Sequence, residues 1–140
     1  MKGFSLIEIL LAMAIVGILA ITAVPVFRTL LTENDLTISQ MMLSQAARRA
    51  EANARAGAFD SDWGVRAAPK EAIVFKGTDF GSRDAAQDAI FSLPSSIKFP
   101  ETFIVFSRFT ALPSQSASLT LRASNGTARV WNVDSQGVMY

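Results

Sequence analysis

Neither cysteine nor histidine occurs among the 140 residues. Without cysteine, no disulfide can staple the fold and no thiolate can bind a metal. Without histidine, ordinary zinc sites lose their imidazole ligands, and nucleophilic triads lose their usual general base. An enzyme built from this chain would have to work with carboxylates, Lys, Tyr and Ser alone, which argues against catalysis and against a cofactor or metal. Charge is also sparse: 18% of residues are charged and the formal net charge is +1. That balance exerts no bulk pull toward nucleic acid or anionic surfaces.

What is present in excess is apolar surface, 50% of the residues, with a mean hydropathy of +0.30. It is concentrated at the N-terminus. After Met1-Lys2-Gly3-Phe4-Ser5-Leu6-Ile7-Glu8, nineteen uncharged, mostly apolar residues run from Ile9 to Phe27. A helix of that length can cross a bilayer. Lys2 and Arg28 flank it, and the positive-inside rule mildly favours a cytoplasmic N-terminus. A secretory signal peptide fits poorly, because Ala12-Met13-Ala14 comes too early for a cleavage site and Glu8 interrupts the apolar segment. A plain anchor explains the length but not Glu8.

A carboxylate at the edge of hydrocarbon costs about 2.5–3.5 kcal/mol and persists where a partner neutralises it. The apolar segment itself holds no such cation. Cutting after Gly3 would create one: a free α-amino group on Phe4, four residues before Glu8, with a pKa of about 7.7–8.0. In a stack of identical helices, that amine on one copy can meet Glu8 of the next.

The run Gly-Phe-Ser-Leu-Ile-Glu followed by an apolar helix resembles the prepilin signature of type IV pilins and of type II secretion and competence pseudopilins. The resemblance implies that a prepilin peptidase cuts after Gly3 and methylates Phe4, and that Glu8 is the assembly glutamate. It implies a helix bend at Pro25 and, around Gly17, a stretch that unwinds in assembled filaments. The head's Trp-Gly-Val run, its phenylalanine-rich strands and its closing Gly-Thr-Ala-Arg-Val faintly resemble H-type pseudopilins.

The expected fold class is α+β: a leader at 1–3, a transmembrane or filament-core helix over 4–28, its amphipathic continuation over 29–57, and a β-rich head over 58–140. A stripe of Ile38, Met41, Met42, Gln45, Ala46, Arg49 and Ala50 is expected to face that head, with Gly57 as the helix stop and Asn34-Asp35 as a second weak point. Strands are expected over Trp63–Ala67, Glu71–Lys76, Ser96–Phe99, Phe103–Phe109, Ala117–Arg122, Ala128–Asp134 and Val138–Tyr140, in one antiparallel sheet, with a hairpin at Asn125-Gly126. Lys76–Asp84 reads as a long polar loop. Its glycines match no nucleotide fingerprint, and Asp79, Asp84 and Asp88 match no calcium loop. Arg48, Arg49 and Arg55 surround Glu51 and read as a solvated helix face.

The expected function is a structural subunit of a type IV pilus-like filament. Its expected partners are related pilin subunits, the prepilin peptidase, an inner-membrane assembly platform and the membrane. It would sit in the cytoplasmic membrane before assembly and in a surface pilus or periplasmic pseudopilus afterwards. The alternative is a minor pseudopilin of a secretion or DNA-uptake system. A DNA-binding head would require Arg108, Arg122 and Arg129, scattered along the strands, to converge.

Overall fold

A computed structural model describes residues 4–140, without the side chains at positions 22–26. One helix, α1, runs from Leu6 to Arg55, about 75 Å at 1.5 Å per residue. It passes Asn34 and Asp35, the second weak point expected, without a break. Leu, Ala, Met, Gln and Arg dominate this stretch and favour continuous helix. The helix stops as its sequence suggests: Ala56 is the C-cap, and Gly57 takes the left-handed conformation at φ 62°.

The head is formed by β1 (Trp63–Ala68), β2 (Glu71–Lys76), β3 (Ala89–Ser92), β4 (Ile97–Lys98), β5 (Thr102–Phe106), β6 (Ala117–Ala123) and β7 (Ala128–Val133). The single sheet expected is in fact two antiparallel sheets, ordered β3-β2-β1-β5 and β4-β6-β7. β3 was not among the expected strands. Its four residues alternate half-buried and exposed, too short a run to stand out from a loop. At the other end of the chain, Val138–Tyr140 forms no strand. It adds one bridge, Val133 to Met139, and closes part of the β7 edge through paired backbone bonds between Asn132 and Tyr140. The Asn125-Gly126 hairpin is present, with Gly126 at φ 89° and Leu121 registered on Arg129.

Both sheets close over one face of α1. That face is Leu36, Ser39, Leu43, Ala46, Ala47, Ala50 and Ala54, a three- and four-residue series in which small side chains let the strands approach closely. The expected stripe was displaced by about one position. Only Ala46 and Ala50 belong to it; Met42 is half-buried, while Met41 and Arg49 are exposed. Ser39 is the buried polar residue of the face and is satisfied by donating to the Asp35 carbonyl at 2.8 Å. From the sheets come Trp63, Val65, Val74, Ile104, Phe106, Leu119, Leu121, Trp131 and Val133. Both indoles keep a partner inside the core: Trp131 Nε1 donates to Ser44 Oγ and Trp63 Nε1 to the Ala58 carbonyl, each at 3.0 Å.

The loop read as polar carries a second apolar layer. Phe75 lies on the outer face of the first sheet over Gly64, where a Cβ would meet its ring at 2.3 Å. Phe80 stacks edge-on against Phe75 at 5.3 Å, and the guanidinium groups of Arg83 and Arg66 lie 3.6 and 4.5 Å from the Phe80 ring centre. Two 3-10 turns, at Phe80–Ser82 and Ala85–Gln87, shape this cover.

Contacts along α1 give the head two poles. At the far pole, Phe109 N–H donates to the Ala54 carbonyl and caps the helix end. At the near pole, facing the N-terminal half of α1, Arg129 pairs with Glu33, Ser96 donates to Asp35, and Ser124 and Asn125 share a notch with Arg28, Leu31 and Thr32.

Candidate assembly surface

The N-terminal half of α1 projects beyond the head. Over 4–21 every described residue is exposed, including Phe4, Ile7, Leu11, Ile15 and Leu19. Apolar exposure on this scale marks a surface meant to be covered. Among the described residues no helix is long and apolar enough to cross a membrane. The uncharged run Ile9–Phe27 takes in positions 22–26, whose side chains lie outside them.

Ser5 is the N-cap, in an extended conformation, and its side chain makes no cap bond; instead its carbonyl accepts from Glu8 N–H at 3.0 Å. Glu8 therefore sits in the first turn, where the helix dipole favours a carboxylate. Phe4 precedes the N-cap, outside the helix, and is exposed.

The pairing of the chain's other acids sets Glu8 apart. Glu33, Glu51, Asp60, Glu71, Asp88 and Glu101 form ion pairs. Asp35 and Asp62 accept hydrogen bonds, from the Ser96 hydroxyl and the Arg108 backbone N–H. Asp79, Asp84 and Asp134 accept backbone N–H bonds in turns and caps. Of the 12 acidic residues, Glu8 alone has no partner among the described residues.

The remaining sequence-derived positions fall as follows. Gly3 lies outside the described residues, as does the side chain of Pro25. Gly17 is helical, with nothing within 4 Å of an added Cβ. Glycine costs an exposed helix about 1 kcal/mol relative to alanine, and packing inside this chain does not account for it. Asp79 and Asp84 cap the two 3-10 turns, and Asp88 pairs with Arg83 at 2.8 Å. No group of three metal-binding side chains occurs among the described residues.

Arg108, Arg122 and Arg129 do not converge. Arg108 pairs with Asp60 at the far pole. Arg129 points inward, donating to Glu33, Thr37 and Gln40 of α1. Arg122 is the cross-strand neighbour of Ala128 and lies on the outer face of the second sheet. The Arg129–Glu33 clamp was invisible in the sequence because its partners are 96 residues apart. Of the helix arginines, Arg55 pairs with Glu51 at 2.6 Å, as their spacing suggests.

No curated protein and no solved structure matches the chain. A family model does match its first residues: the prokaryotic N-terminal methylation motif, over residues 1–24. The chain thus carries, in the same segment that leaves Glu8 and its apolar helix uncovered, the N-terminal methylation signature of type IV pilins and pseudopilins.

Proposed function

We propose that the chain is a structural subunit of a type IV pilus-like helical filament. The precursor is anchored by the uncharged run Ile9–Phe27, cut after Gly3 and methylated on Phe4. Subunits then assemble through the exposed half of α1, and the new amino group of one copy neutralises Glu8 of its neighbour. One observation carries this reading: among the described residues Glu8 is the only acid without a partner, and it lies on a helix half whose apolar side chains nothing covers. The N-terminal methylation motif supports the processing step.

Neutralising a carboxylate there is worth up to about 2.5–3.5 kcal/mol per subunit, the cost of a charge at the centre of the hydrocarbon. The contribution repeats at every copy, so its loss is decisive for a polymer. Glu8→Ala is therefore expected to be processed normally yet to leave no sheared filaments. Normal filament yield from that variant would refute the register role of Glu8.

The absence of cysteine favours a second reading, a minor pseudopilin of a secretion or DNA-uptake system. Such a subunit would share the processing and the helix contacts, and would be found as a trace beside a more abundant subunit.

A further inference from the structure

The near pole of the head carries a set of cations that the fold leaves unused. Lys98 on β4 and Arg122 on β6 are direct cross-strand partners. Their neighbours Ile97 and Ala123 are buried, so Lys98 and Arg122 stand together on the outer face, both exposed. Like charges directly opposite one another destabilise a sheet. No carboxylate relieves them: the side chains of Lys98 and Arg122 have no ion pair or hydrogen bond among the described residues. Two residues after Arg122, Ser124 shares a notch with Arg28 of α1. Arg28 is exposed and its side chain is likewise unpartnered among the described residues. It directly follows the uncharged run Ile9–Phe27. Of the acids on this side of the head, Glu33 is paired with Arg129, while Asp35 accepts from the Ser96 hydroxyl and forms no ion pair with Arg28, Lys98 or Arg122.

We propose that Arg28, Lys98 and Arg122 form a collar that docks the head on an anionic phospholipid surface while the subunit is held in the membrane. The inference rests on the anchoring of Ile9–Phe27. Charge and position select this occupant. Three cations that no acid pairs with among the described residues match a phosphate-bearing surface, and they lie where an anchored helix would leave the hydrocarbon. Phe27, Leu30 and Leu31 are exposed at the same level and suit the boundary between headgroups and acyl chains. The like-charge pair, unfavourable in water, becomes favourable against lipid phosphate. Three cations at an anionic surface shift the ratio of docked to undocked heads by on the order of a hundredfold, and salt screens the effect.

The native chain has no cysteine, so Ser124→Cys in the full-length protein accepts a single fluorophore beside the collar. The labelled chain is incorporated into nanodiscs of phosphatidylcholine, and of phosphatidylcholine mixed with phosphatidylglycerol. Quenching by neutral acrylamide is then measured. The expected result is at least about twofold protection of the label in the anionic discs, lost at high salt and absent from an Arg28→Gln, Lys98→Gln, Arg122→Gln variant with an unchanged melting temperature. Equal quenching in both lipids, or protection that survives in the triple variant, overturns the collar while leaving the anchor intact. Protection by added duplex DNA in neutral discs, with none from phosphatidylglycerol, also overturns it and assigns the patch to nucleic acid. A chain that enters neither kind of disc contradicts the anchoring itself, and the collar with it.

Discussion

At the scale of single residues, the chain places glycine and charge where nothing else would fit. Gly64 is the clearest case. It sits mid-strand, where glycine weakens a sheet, because the Phe75 ring occupies the space its Cβ would fill. Gly64→Ala is expected to lower stability by about 1–3 kcal/mol as that ring is displaced, measurable by urea denaturation. The ring cannot move freely, since Phe80 and the Arg66 and Arg83 guanidinium groups lie beyond it. Arg66 also holds Glu101 at 2.5 Å, and its side-chain hydrogen bond sets the Glu101 pKa below the usual carboxylate range. A lowered folded-state pKa stabilises the fold above the unfolded value, about 4.3 for glutamate, and that contribution fades as pH falls through the folded value. Glu101→Gln is thus expected to reduce the acid-side fall in melting temperature below about pH 4.3, in a pH series of thermal melts.

At the scale of elements, α1 does two jobs divided near Glu33. Its C-terminal half is part of the head core, and Leu43 is fully buried there. Leu43→Ala is expected to cost about 2–5 kcal/mol, while cleavage before Phe4 proceeds as in the wild type. Thermal melts and N-terminal sequencing on one preparation check both statements. The Arg129–Glu33 clamp contributes far less. Its side chains are 39% and 40% exposed, and solvent screening limits such a pair to about 1 kcal/mol or less.

Legibility in the sequence followed the same division. The long helix, expected over 4–57, was readable from its apolar run and the helix formers beyond Ser39 up to a glycine stop, and β2 because Glu71–Lys76 is bounded by turns. The buried stripe was misjudged by one position. Beyond Leu43 that stripe consists of Ala46, Ala47, Ala50 and Ala54, whose small side chains give a weak hydrophobic signal, whereas Met41 gives a strong one on the solvent side. β3 was missed for want of length. The split into two sheets was missed because strand pairing is a long-range choice, made by packing on α1 rather than by local pattern. Glu8 was the opposite case. A lone charge in an apolar run is conspicuous in one dimension, and the fold adds that the other acids are already engaged.

At the scale of the whole molecule, the head is self-sufficient and the N-terminal half of α1 is not. The head buries two tryptophans with satisfied indoles and closes a core without disulfides. The projecting helix leaves its apolar side chains exposed and bears one unmatched acid. In the proposed assembly, heterologous contact between copies repeated along an axis would resolve both deficits, and a rotation that does not close would give an open helical polymer. The chemistry the proposal calls on is the amino terminus that cleavage after Gly3 would create. Intact-mass spectrometry of the chain recovered from native cells, in membranes and in sheared surface filaments, tests that step directly. The expected species begins at Phe4 and carries one added methyl group. A chain that persists from Met1, uncut and unmethylated, would contradict it.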